Sequence, residues 1–206
     1  MADTPAVPRA AATRAKAIAG ELAALSIAVA VRRDEDGEAL IRELQRTRAQ
    51  VRHVWPVPER LPGDADVLYC DLAPGLPDRL PWVPGEPKSA LVVVLPRMPS
   101  PDLDLLYNAA ADAVLHKPFA PNAVLTSLLV AHSQFRYGQR LRGRIEKLDE
   151  TLRTMRSVER AKSILMSARS MREDEAYHFL RRQAMERRVP ISAVASAIVD
   201  SHEIFS

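Results

Sequence analysis

Apolar positions change their rhythm along the 206-residue chain. From residue 26 to residue 115 they come as short continuous runs of strand length, at 27–31, 51–55, 67–70, 91–95 and 113–115. A helix-like stretch around Ala39, Leu40, Ile41 and Leu44 follows the first run. Strands that face helices on both sides are apolar throughout, and their alternation with helices predicts an α/β fold with a doubly wound, parallel, five-stranded sheet. Residues 73–88 are proline-rich and weakly patterned, so they predict little regular structure. Beyond Asn122 the period becomes helical, and Leu141, Ile145, Leu148, Leu152 and Met155 alternate spacings of four and three. From residue 158 onwards the pattern predicts three short helices. Ala176, Tyr177, Leu180 and Ala184 form the buried stripe of the second, and Ile191, Val194, Ala195, Ile198 and Val199 that of the third. Ser170-Met171-Arg172-Glu173 has capping-box spacing, and Val189-Pro190 restarts the chain as a new helix. The resulting plan is an N-terminal arm at 1–25, a sheet domain at 26–135, a linker helix at 136–157 and a three-helix module at 158–206.

The linker carries an expectation about assembly. Leu141, Ile145, Leu148, Leu152 and Met155 make a heptad seam flanked by Arg140, Arg142, Arg144, Glu146, Lys147 and Glu150, and two such seams bury each other in a parallel coiled-coil homodimer. A competing reading packs the seam, only about two heptads long, back on its own sheet domain. Gly138 and Gly143 lower the intrinsic helicity here. The first 25 residues are alanine-rich but interrupted by Arg9, Arg14, Lys16 and Glu21, which argues for a disordered arm ending in a short helix and against a signal peptide or membrane span.

Charge sharpens this division. Residues 136–188 hold 15 Lys+Arg against 8 Asp+Glu, a balance of +7, whereas residues 1–135 hold 14 against 16, a balance of −2. Basic charge beside a helical module suits a polyanion, because neutralising phosphates is the sequence-independent part of nucleic-acid affinity. A merely soluble basic surface is the plainer reading. Cys70 is the single cysteine, so no intrachain disulfide or multi-cysteine metal site can form, and a reducing cytoplasm fits. His53, His116, His132, His178 and His202 show no pair at ligand spacing on a predicted helix, so no metal or cofactor is assigned. With seven glycines, no glycine-rich phosphate loop, no nucleophile elbow and no paired acid and base, the pattern speaks against an enzyme.

Particular residues narrow the function. Ala161-Lys162, Leu165-Met166, Glu175-Ala176, Leu180-Arg181, Ala184-Met185 and Val194-Ala195 resemble the motif positions of the ANTAR domain, the RNA-binding three-helix module of bacterial transcription antiterminators. Ser163 stands where many members have glycine. The resemblance implies an RNA partner. Inside the motif, Lys162 and Arg181 are the expected closest contacts, with Arg160, Arg182, Arg187 and Arg188 on phosphates around them. The alternative for Arg181 is an internal pair with Glu175 or Asp174.

The earlier part resembles the receiver domain of two-component response regulators. Residues 66–72 place Asp71 at the end of the third strand, where receivers carry the phosphoacceptor, and residues 114–119 place Lys117 where a lysine pairs with the phosphoryl group. The acidic pair that holds magnesium in receivers is replaced by Val31-Arg32-Arg33, and the threonine or serine switch by Leu95-Pro96. Phosphoryl transfer to a carboxylate brings anions together and needs the metal to neutralise developing charge. Asp71 and Lys117 are therefore expected to be vestigial, with Arg32 or Arg33 pairing directly with Asp71.

With residues 51–59 as a further local match, the whole chain resembles the ANTAR-domain antiterminators of the AmiR type. That resemblance implies leader mRNA stem-loops as target, in an amidase or other nitrogen-source operon. It also implies control by a ligand-sensing partner of the amide-sensor type, and an effect on RNA polymerase only through the RNA. The alternative is a phosphorylation-dependent response regulator with Asp71 as acceptor.

Overall fold

A computed structural model describes residues 9–83, 85–98 and 100–205. It divides into two compact units, residues 1–138 and 139–206.

The first unit holds the sheet. Its strands are β1 (Ser26–Ala30), β2 (Gln50–His53), β3 (Val67–Asp71), β4 (Ala90–Leu95) and β5 (Ala113–His116). They pair in parallel, in the order β2-β1-β3-β4-β5. All five lie where the apolar runs predicted them. Alternate residues feed two cores, because successive side chains leave a strand on opposite faces. Ile27, Val29, Val67, Tyr69, Val92 and Val94 pack on one side with Leu40 and Leu44 of α2 (Glu35–Arg46) and with Val124 and Leu128. Ala28, Leu68, Cys70, Leu91, Val93 and Leu95 pack on the other with Leu76, Leu80 and Trp82. Burial pushes the Cys70 thiol up to about 12, so it stays protonated and packs as a small apolar group.

Two connections contribute to the core. The arm ends in a helix, α1 (Arg9–Ala23), and Leu22 and Leu25 belong to the sheet domain's own core. The disorder expected of the first eight residues falls outside the described residues. In the proline-rich stretch, regular structure is confined to one turn, α3 (Leu76–Arg79), but the stretch is packed: Leu76 and Leu80 are buried under the sheet. Four-residue spacing of two leucines does there what a longer helix would otherwise do. The short α4 (Leu103–Ala109) completes that side, capped by Asp102, whose carboxylate accepts from the Leu105 amide at 3.0 Å.

The last receiver-like helix, the linker and the first predicted helix of the module are one element, α5 (Pro121–Arg169), of 49 residues. Nothing in the sequence stops it before Ser170, whose left-handed φ of 53° ends it. Both linker glycines lie inside this helix. A Cβ at Gly143 meets nothing within 4 Å. Gly143→Ala is therefore expected to stabilise the second unit by about 0.5–1 kcal/mol, read as a higher midpoint in urea.

The second unit closes with α6 (Glu173–Arg187) and α7 (Ile191–Phe205). Ala161, Leu165, Ala176, Leu180, Ala184, Val194, Ala195 and Val199 form its core. Two sequence expectations need correction. Ser170 terminates α5 rather than capping α6. The cap sits two residues later, where the Glu175 carboxylate accepts from the Arg172 amide at 2.9 Å, while arginine has no side-chain acceptor to complete a reciprocal box. Tyr177, expected in the buried stripe, is 44 % exposed, because one residue beyond Ala176 the helix has turned it away from the core, and its ring meets His178 edge-on.

Candidate nucleic-acid interface and the Asp71 cleft

At the carboxyl ends of β1 and β3 a cleft of about 490 Å³ opens, lined in part by Asp34, Asp71 and Lys117. Asp71 Oδ2 accepts from the Arg32 amide at 2.8 Å, and Lys117 Nζ lies 3.1 Å from Asp71 Oδ1 and 3.8 Å from Asp34 Oδ2. Lys117 thus meets Asp71 as expected, but the arginines do not. Arg33 pairs with Glu38 at 3.1 Å, and Arg32 offers Asp71 its backbone. The cause is the tight start of α2. Asp34 caps it by accepting from the Gly37 amide at 2.8 Å, and a Cβ at Gly37 would collide with the Arg32 carbonyl, so the loop turns an amide toward the cleft. Asp34 escaped sequence reasoning because it stands one residue past the arginines. Its place before Glu35-Asp36-Gly37 was the available signal of an N-cap.

Along α5, Leu141, Ile145, Leu148, Leu152 and Met155 are all exposed, Leu148 at 63 %. The five form one apolar stripe that nothing among the described residues covers.

In the second unit the basic residues sort into two kinds. Lys162 is buried at 8 % exposure, its ammonium 2.9 and 3.0 Å from the Glu159 carboxylate oxygens and 2.7 Å from Glu173 Oε1. Glu173 first and then Glu159 hold its pKa above the ordinary lysine value. Its three donors are occupied in stapling α5 to the start of α6, a scaffold arrangement for a residue expected from the motif to be a leading RNA contact. The Glu159 pair, three residues away on one helix, was visible in the sequence. Arg160 is likewise engaged, 2.6 Å from Glu203 Oε1.

The other four arginines remain available. Among the described residues, Arg181 is exposed and has no ion pair or hydrogen bond. Its suggested partners are used elsewhere, Asp174 by Arg172 at 2.6 Å and Glu175 by the Arg172 amide. Arg187 and Arg188 are exposed without an ion pair among the described residues, and Arg182 lies 6.0 Å from the centre of the Phe179 ring. Tyr177, Arg181 and Met185 follow at spacings of four and make one exposed stripe along α6, with Arg188 just past its end.

A family model described as AmiR, N-terminal, matches residues 25–132, and one described as ANTAR domain matches residues 146–199. The chain belongs to the AmiR-type ANTAR proteins. The aliphatic amidase regulator of Pseudomonas aeruginosa is 27 % identical over 188 residues, 90 % of this chain and 96 % of that protein. The transcriptional regulatory protein PdtaR of Mycobacterium tuberculosis is 34 % identical over 113 residues, 54 % of this chain and 55 % of that protein. Among solved structures, the response regulator StyR overlaps at a TM-score of 0.47 with 14 % identity, covering 85 % of this chain and 99 % of that one. An AmiR-type ANTAR protein is an RNA-binding antitermination regulator, and its relatives are transcription regulators, not enzymes. The ANTAR match begins at residue 146, inside the exposed stripe of α5 and ahead of the boundary drawn at 158. Among the described residues no helix is long and apolar enough to cross a membrane.

Proposed function

We propose that this protein acts in the cytoplasm as a homodimer that binds leader mRNA of a catabolic operon, of the amidase or nitrogen-source kind. Bound there, it stabilises an antiterminator structure so that polymerase reads on. Its sheet domain takes its signal from a ligand-sensing partner protein, not from phosphorylation. The observation that carries the RNA-binding reading is the set of exposed, unpaired arginines on and just after α6, Arg181, Arg187 and Arg188, beside acidic residues that are already paired. Binding to a single-stranded homopolymer, duplex DNA and a two-hairpin leader RNA, compared across salt concentrations, tests it. Preference for the two-hairpin RNA supports the proposal, and equal affinity for duplex DNA overturns it.

Two substitutions separate contact from scaffold. Arg181→Ala is expected to weaken leader-RNA binding and lower the salt slope by about one unit, with thermal stability unchanged. Lys162→Ala is expected to lower the melting temperature of the second unit, with RNA affinity falling only as far as the module unfolds. Melting curves and filter binding on the same preparations check both.

A phosphorylated receiver is the second reading, favoured by the 3.1 Å approach of Lys117 to Asp71. Both oxygens of Asp71 are nevertheless engaged, and arginines occupy the acidic-pair positions. Acetyl phosphate at ordinary magnesium concentration is expected to leave Asp71 unmodified by mass spectrometry. A stoichiometric phosphoryl adduct there would restore the phosphorylation reading.

A further inference from the structure

We infer that the groove enclosed by the C-terminal end of α5, by α6 and by α7 is a slot for one unstacked base of an RNA loop, with Phe179 as its stacking surface. This rests on the RNA-binding reading and adds the part of the RNA held and the residues that hold it. The groove measures about 400 Å³, within the range of formed ligand sites. Its floor is apolar, with Leu165, Val194 and Ile198 beneath the half-buried Phe179. Two arginines stand at its edge. Arg169 lies 5.4 Å from the centre of the Phe179 ring, and Arg187 has no ion pair or hydrogen bond. No carboxylate lines it, whereas the pocket at Lys162 is lined by Glu173 and Asp174.

This combination selects its occupant. An aromatic face at the bottom of an apolar slot suits a flat ring, and cations without counter-ions suit the phosphates on either side of that ring. Loop bases splayed out of structured RNA supply both at once. Arg169 sits exposed over the ring, so it can slide aside as the base enters and close over the base's outer face, exchanging one cation–π contact for another. Polar groups line the groove as well. Gln183 gives one of its two amide N–H groups to Glu186 at 2.8 Å and keeps the other with its carbonyl oxygen, and Ser201 donates its hydroxyl to the Ile198 carbonyl at 3.0 Å and keeps its oxygen as an acceptor, so the slot offers a base edge both a donor and acceptors.

The test uses the full chain and a pool of RNA hairpins with one fixed stem and a randomised loop. Loops enriched by the wild-type protein are expected to share one preferred base at one fixed position. Phe179→Leu, which keeps an apolar side chain in the core, is expected to lose about tenfold in affinity for enriched hairpins while binding to the bare stem is unchanged. Arg169→Gln, which leaves the core untouched, should lose affinity for the same hairpins with an unaltered melting curve. Wild-type affinity for enriched hairpins in both variants, an equal loss on the bare stem, or enriched loops that share no base at any position overturns the slot while leaving RNA binding in place. No binding of any hairpin by the wild-type protein overturns the slot and the proposed function together.

Discussion

Leu148→Asp combined with Leu152→Asp is expected to halve the sedimentation mass and to cost the protein most of its affinity for a two-hairpin RNA. The five apolar side chains at 141, 145, 148, 152 and 155 lie exposed on one stripe of α5, at spacings that α-helices use to bury each other. Fully burying a leucine contributes about 1.5–3 kcal/mol, and the double substitution removes two such contributions from each protomer. It also places carboxylates inside the seam, which must be desolvated or leave it open. The wild-type protein is expected to sediment as a dimer and the variant as a monomer. A dimer holds two RNA-binding modules at high effective concentration, and losing that linkage lowers affinity for a tandem target by about 10²–10⁴, while affinity for a single hairpin stays the same. Sedimentation equilibrium and parallel titrations with one and two hairpins check both halves. An unchanged mass would move the interface elsewhere or abolish it.

Leu180→Ala is expected to unfold the three-helix module and leave the sheet domain folded. Leu180 is fully buried, packed in a core of small neighbours that includes Ala161, Ala176, Ala184 and Ala195. Those alanines cannot grow to fill the gap, so the loss lies in the range of about 2–5 kcal/mol for a buried leucine cut to alanine. A module of this size has little more stability than that to lose. Both tryptophans, Trp55 and Trp82, belong to the first unit, so their fluorescence reports its unfolding alone. The tryptophan transition should keep its midpoint while helical ellipticity falls at a lower temperature and RNA binding disappears. A shared shift of both signals would show instead that the two units unfold together.

The sequence by itself determined the class of the fold and the kind of function. Continuous apolar runs, which only a sheet covered on both faces can bury, located five strands to within one or two residues at each end. The ANTAR motif positions and the basic balance of residues 136–188 pointed to RNA before any geometry was known. What the sequence could not decide was which charged groups find each other, because that depends on elements distant in the chain. Lys162 belonged to the motif, yet α6 brings Glu173 to it across 11 residues and turns a candidate contact into a staple. Arg33 was, with Arg32, an expected partner of Asp71, yet the tight start of α2 gave it Glu38 and left Asp71 to a backbone amide and to Lys117 from the far end of the sheet. Local pattern also left the full length of α5 unseen. The heptad and the first helix of the module lie in one uninterrupted helix, which stops only where Ser170 takes a left-handed conformation. Hydrophobic period is a local property and was legible in the sequence. Charge pairing and the faces left open are set by tertiary contact, because a side chain takes the nearest partner in space.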